Sequence, residues 1–156
     1  MSSTDLAGMK VPAGGGEKLS FFGMDLLWKV TPEMSNDTFL QIEHVSPPET
    51  GVPVHIHQNE DESLYVIEGE LVAQLGDETL AVRAGDSVMM PKGIPHGWRV
   101  TGDKTARILF TFESSPASDL QTMFTRLVGL TPADFDQVLT ICGETNIEFL
   151  MPPTMP

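Results

Sequence analysis

Cysteine is all but missing from this chain of 156 residues: Cys142 stands alone, so no disulfide can close within it and no oxidising compartment is required. Basic residues are scarce too. There are 9 Lys and Arg against 22 Asp and Glu, a net charge of −13 whose field repels phosphate backbones and anionic lipid surfaces. Nucleic acid and membrane surfaces are therefore not expected as partners. No apolar run approaches the roughly 18 residues of a membrane span. Met1 to Gly16 lacks a basic start followed by an apolar stretch, so neither a signal peptide nor an anchor is expected there, and the expected compartment is the cytoplasm. No motif occurs twice, and the 14 Gly and 12 Pro are too few for a low-complexity chain. What remains is one soluble domain of ordinary composition, long enough to bury a core.

Residues 1–16, ending in Gly14-Gly15-Gly16, cannot bury a core of their own and are expected to form a flexible arm, or one that crosses to a partner subunit. From Glu17 to Glu113, short runs rich in Phe, Leu, Val and Ile alternate with turn clusters, the spacing of an all-β sandwich or barrel. The expected strands are Leu19–Val30, Thr38–Val45, Val52–His57, Ser63–Ile67, Leu71–Leu75, Thr79–Arg83, Ser87–Met90, Gly97–Val100 and Arg107–Phe112. Each separator carries Gly, Pro, Asn or Asp, residues that supply turn geometry. After Ser115-Pro116 the period changes: Leu120, Met123, Phe124, Leu127 and Val128 recur at helical spacing. Thr131-Pro132-Ala133-Asp134 reads as a cap, a proline at the first helical position and an acid three residues on. A second short helix is expected there, with Phe135, Val138, Leu139 and Cys142 on one face and Gly143 as its stop. The barrel is thus expected over 17–115, with helices and tail, 116–156, packed on it. The tail Asn146–Pro156 lies either across the barrel mouth or over its outer surface.

Three of the four histidines fall at spacings that carry chemistry. His55 and His57 are two apart on an expected strand, so period-two alternation puts both imidazoles on one face. Glu62 heads the next strand, where its carboxylate can turn back toward the same pocket, and His96 follows the turn Pro91-Lys92-Gly93-Ile94-Pro95. Three nitrogens and one carboxylate oxygen suit a divalent transition metal with positions left open for water or substrate. His44 lies outside this pattern and reads as a satisfied polar residue, while Glu60 and Asp61 read as a solvated corner.

The same residues carry a resemblance. Gly51-Val-Pro-Val-His55-Ile-His57-Gln-Asn-Glu-Asp-Glu62-Ser-Leu-Tyr-Val-Ile-Glu-Gly69 resembles the first cupin motif, two histidines, a glutamate and a closing glycine at fixed separations. Gly85-Asp-Ser-Val-Met-Met-Pro91-Lys-Gly93-Ile-Pro-His96 resembles the second. Two departures stand out: Gly51 is closer to His55 than the family spacing, and Val100 replaces the usual closing asparagine. Neither removes a ligand. The resemblance implies a jelly-roll β-barrel, here with a short C-terminal helical pair, and one divalent metal (Fe, Ni, Mn, Co, Cu or Zn) held by His55, His57, Glu62 and His96. It further implies a homodimer, since open jelly-roll edges need covering.

Such a metal polarises oxygens or lowers the pKa of a bound hydroxyl, and Glu62 is placed to take a proton as general base. The rest of the pocket reads as apolar. Trp98 shares parity with His96, Phe110 and Phe112 share another strand, and Phe39, Met89, Met123 and Phe149 complete a candidate lining for a flat aromatic ligand. The tail Ile147-Glu148-Phe149-Leu150-Met151-Pro152-Pro153 is similar to that of small quercetinase-like cupins, which implies a dioxygenase opening an enol-bearing ring with dioxygen as co-substrate. Cupin polyketide cyclases and isomerases, which are redox-neutral, and non-catalytic small-molecule binders share the same ligands. Of the three, the dioxygenase is favoured.

Overall fold

The computed structural model describes residues 8–156; the expected arm over 1–16 falls partly outside them. Eleven strands and two helices follow in order: β1 (Lys18–Phe21), β2 (Met24–Val30), β3 (Phe39–Ser46), β4 (Gly51–His57), β5 (Asp61–Glu68), β6 (Glu70–Leu75), β7 (Glu78–Arg83), β8 (Ser87–Met90), β9 (His96–Val100), β10 (Ala106–Glu113), α1 (Ser118–Leu127), α2 (Phe135–Gly143) and β11 (Ile147–Phe149). The strands form two antiparallel sheets of a jelly roll, one ordered β1-β2-β3-β10-β5-β8 and the other β11-β4-β9-β6-β7. Inward residues alternate with outward ones. On β10, Ala106, Ile108, Phe110 and Phe112 are buried, and their partners across the ladders lie in rows. Phe112 stands beside Leu40 and Glu62, Phe110 beside Ile42 and Leu64, and Ile108 beside His44 and Val66.

The apolar run Leu19–Val30 is two strands rather than one. Phe22 and Gly23 take positive φ values of 51° and 76°, closing a hairpin that pairs Phe21 with Met24. The apolar run conceals this turn because Phe22 is itself buried, although positive φ is uncommon for a residue with a side chain. Of the described part of the arm, the Lys29 ammonium donates to the carbonyls of Pro12 and Gly15, at 3.0 and 2.8 Å, and so ties this segment to β2.

The second sheet has its decisive irregularity on β4. Val52 faces Trp98 of β9 and His55 faces His96, so β4 spends one more residue than its partner between those pairs. The extra residue falls at Pro53-Val54, where a bulge suits proline, which has no N–H to give the ladder. The Val54 N–H donates to the Thr154 carbonyl of the tail instead, at 2.8 Å. The bulge resets the parity of the strand, so Val52, His55 and His57 all face the interior. β4 and β9 run unusually close here. A Cβ on Gly51 would sit 2.0 Å from the Trp98 carbonyl oxygen, and one on Gly97 would sit 2.8 Å from the Val54 nitrogen. That close approach is the structural use of the displaced Gly51.

Both C-terminal helices form. Asp37 receives the Ser118 N–H at 2.7 Å and so caps α1 from the end of a distant loop. Leu120, Met123, Phe124 and Leu127 are its buried face, whereas Val128 lies beyond the helix end and is exposed, because the backbone there has left the helical conformation. Thr131 and Asp134 form the expected capping box, around a 3-10 turn leading into α2. Within the tail, β11 adds to the edge of β4, pairing Ile147 with His57 and Phe149 with His55, and both side chains reach the interior cavity. Among the described residues, no helix is long and apolar enough to cross a membrane.

Candidate metal centre and its cavity

The first sheet contributes Glu62 and the second His55, His57 and His96, all four side chains buried and with ligand atoms within 4.8 Å of one another. Their outer ring nitrogens are all engaged. His55 donates from Nδ1 to the Pro53 carbonyl at 2.8 Å, His57 from Nδ1 to Glu60 Oε2 at 2.9 Å, and His96 from Nδ1 to the Ile94 carbonyl at 3.1 Å. These acceptors have no proton to give, so each ring carries its hydrogen on Nδ1 and turns Nε2 inward.

The inward atoms fit a cation. His55 Nε2 and His57 Nε2 are 3.1 Å apart, so neutral rings with Nδ1 protonated would set two lone pairs against each other. Only a proton or a metal between them makes that contact favourable. Glu62 Oε2 lies 2.8 Å from His96 Nε2 and 3.3 Å from His57 Nε2, adding negative charge to the same point. The cluster could thus hold one metal ion, with an acceptor already in place behind each of the three histidines.

Without a metal the cluster distributes protons unevenly. Burial raises the Glu62 carboxyl, but the charge and hydrogen bond of His96, with His57 and His55, outweigh it and bring its pKa down to about 2. Burial opposes the charge on His96, yet Glu62 and the Ile94 carbonyl carry its pKa above the ordinary imidazole value. His55 goes the other way, pushed down to about 3 by burial and then by the neighbouring His96 and His57.

Glu60 corrects the reading of the corner as solvated. It is only 2% exposed, and its carboxylate aligns His57. In so acidic a chain, composition does not reveal which carboxylate is buried; the signal was an acid three residues after a histidine at a strand end. Asp61 also has a task, accepting the Lys92 N–H at 3.0 Å, while Gly93 donates to the His57 carbonyl at 2.8 Å. Both bonds fix the loop that delivers His96. Replacing Glu60 by Ala, which removes the acceptor of the His57 Nδ1–H, should weaken metal binding about 10–100-fold, the usual cost of losing a group that orients a metal-binding histidine. A metal titration monitored by competition with a chromogenic chelator reads this directly, and an unchanged affinity would reduce Glu60 to a packing role.

Beside the cluster lies a cavity of about 50 Å³. Of the candidate lining residues, Trp98, Phe110, Phe112, Met123 and Phe149 line it. Phe39 and Met89 do not. Met89 alternates with the inward Met90 and is 52% exposed, and Phe39 has the opposite parity to Leu40 and Ile42 on β3. The aromatic wall closes on the ligands: the Phe149 ring is 5.2 Å from that of His55, and Phe112 is 5.7 Å from His57. The Cys142 thiol joins this wall, its pKa pushed up to about 12 by burial, so it stays neutral.

His44 also lines the cavity, and it is not a satisfied polar residue. It is 4% exposed, and neither ring nitrogen has a hydrogen-bond partner. Such a group costs about 1–3 kcal/mol of stability. Burial, only partly opposed by the charge of Glu62, pushes its pKa down to about 4, so the ring is neutral at pH 7.

Comparison with known proteins accords with this architecture. The cupin domain family matches residues 41–112. Among curated proteins, the chain is 34% identical over 90 residues to polyketide synthase CurC of Streptomyces cyaneus, covering 56% of this chain and 58% of that protein. It is 29% identical over 65 residues to quercetin 2,3-dioxygenase of Bacillus subtilis, 42% of this chain and 19% of that protein. The chain thus spans less than two thirds of these relatives. An RmlC-like cupin from Shewanella frigidimarina shares the fold with a TM-score of 0.60 at 20% identity, over 73% of this chain and 96% of that one. The domain match falls on the strands that carry all four ligand-type residues, so over residues 41–112 the chain is similar to the cupin domain family, and its fold is that of a cupin jelly roll.

Proposed function

We propose that this protein is a metal-dependent enzyme acting on a small aromatic or enolisable ring, and that it is a quercetinase-like dioxygenase. The observation that carries the reading is the placement of four buried metal-ligand side chains at a cavity walled by Trp98, Phe110, Phe112 and Phe149. A divalent metal there would polarise a substrate oxygen and bring it together with dioxygen. The aromatic wall would orient a flat ring and exclude water. Glu62 would receive the proton of the substrate hydroxyl, since it is the acid that faces the ligand-binding point. At about 50 Å³ the cavity is far below the roughly 300–1,000 Å³ of ordinary ligand sites, so a ring enters only when part of the wall moves. The wall built from α1 and β11 is the candidate, because β11 is held at one edge by three residue pairs. The similarity to quercetin 2,3-dioxygenase supports ring cleavage.

The similarity to polyketide synthase CurC favours a second reading, a redox-neutral polyketide cyclase or isomerase in the same cavity. An oxygen electrode separates the two. Metal-loaded protein given a flavonol should consume dioxygen in step with loss of the flavonol's visible absorbance. Turnover of a polyketide-like substrate without dioxygen would replace the first reading by the second, and binding without turnover in either condition would exclude both.

A further inference from the structure

Among the described residues, His44 is the one cavity-lining histidine or acid that does not belong to the metal cluster. Its position is built rather than incidental. On β3 it shares inward parity with Leu40 and Ile42, and it stands beside Ile108, two rows along β10 from the Phe112–Glu62 row. Two aromatic rings fix the imidazole: Phe110 at 4.4 Å and Trp98 at 5.7 Å between centroids. A core position of this kind would ordinarily be filled by Leu or Phe. An imidazole with both nitrogens unpartnered persists more readily where something arrives to pair with it.

We infer that His44 is a second polar anchor of the cavity, pairing with an oxygen on the far end of a ligand whose near end faces His55, His57, Glu62 and His96. The neutral ring offers one N–H donor and one bare nitrogen acceptor, so it can take a hydroxyl or a carbonyl. An anionic group is disfavoured at this end, because no Lys or Arg lines the cavity to pair with it. The ligand class is therefore a flat, uncharged ring system with an oxygen at each end, a polyphenol or a polyketide-like polycycle. Trp98 and Phe110, packed against each other at 5.3 Å, would flank its middle on one side. This inference rests on the ring-substrate reading above and deepens it: the cluster sets the reacting end, and His44 sets which rings are accepted.

Two probes test it, using protein loaded with zinc, which has no redox chemistry and leaves the probes intact. Quercetin carries hydroxyls at both ends of its ring system, whereas 3-hydroxyflavone carries only the hydroxyl–ketone pair. Titrations followed by quenching of tryptophan fluorescence should show wild-type protein preferring quercetin. His44→Phe should weaken quercetin about tenfold, the worth of one buried hydrogen bond, and leave 3-hydroxyflavone unchanged. His44→Gln, which keeps a donor at similar reach, should recover part of the preference. On wild-type protein, the ¹⁵N resonances of the His44 ring should shift with quercetin and not with 3-hydroxyflavone, a readout that needs no variant to fold. Equal weakening of both probes, or no ring shift with quercetin, overturns the assignment of His44 while leaving the ring-substrate reading in place. Failure of the wild-type protein to bind either probe overturns both.

Discussion

Replacing His57 by alanine should abolish stoichiometric metal binding, whereas His44→Phe should retain it in full. His57 stands at the centre of the cluster, its Nε2 3.1 Å from that of His55 and 3.3 Å from Glu62 Oε2. Its loss removes one of four ligands and, in the same step, leaves the Glu60 carboxylate buried without a partner. Leaving a buried carboxylate so stranded costs several kcal/mol. His44 faces the same cavity but is not among the four clustered ligands, so its removal leaves the coordination set whole. Metal analysis of both variants purified without added metal measures the contrast directly. A stability comparison gives a second measure, since a metal present at about 1,000 times its dissociation constant stabilises the fold by about 4 kcal/mol. A strong chelator should therefore lower the melting temperature of wild type and leave that of His57→Ala where it was. Equal metal in the two variants would remove the assignment of the centre.

How far such a centre can be read from sequence depends on which physical signal each residue leaves. His55 and His57 are legible because strand periodicity is local: two residues apart means one face, whatever the rest of the fold does. Trp98, Phe110 and Phe112 are legible for the same reason. Parity does not, however, say which of two faces is inside. Phe39 and Met89 illustrate this, each being an apolar residue beside another apolar residue that takes the interior place. The bulge at Pro53 is a tertiary event: it answers to the close approach of β9 and to the tail, both distant in sequence, and it puts Val52 on the same wall as His55. Glu60 was hidden among like residues, one acid in the run Glu60-Asp61-Glu62 where charge patterning suggests only a wet corner. His44 was hidden by the opposite circumstance. A lone imidazole between Glu43 and Val45 carries no motif, and its one clue was shared parity with Leu40 and Ile42. Fold-level signals are periodic and repeat along the chain; the residues that tune a site are single, and their meaning comes from what the fold brings opposite them.

Under the proposed reading, Glu62→Gln should leave part of the metal bound yet lower turnover by about 10²–10⁴-fold, the usual worth of a general base. The amide has nearly the shape of the carboxylate, so the row Phe112, Glu62 and Met90 keeps its packing, and its oxygen can still serve as a ligand. What it cannot do is accept a proton. The substitution also removes the charge that holds the His96 pKa above its ordinary value against the opposing effect of burial. His96 should then titrate lower, and in the metal-free variant its Nε2 should lose its proton at a lower pH than in wild type. Metal occupancy, substrate affinity and the rate of substrate loss, measured on one preparation, separate the two roles of this side chain. A large loss of rate at preserved affinity, corrected for occupancy, identifies Glu62 as the base. Loss of rate in proportion to loss of metal makes it a ligand alone, and full metal with nearly full rate excludes it as the base, in which case the proton must leave by way of solvent.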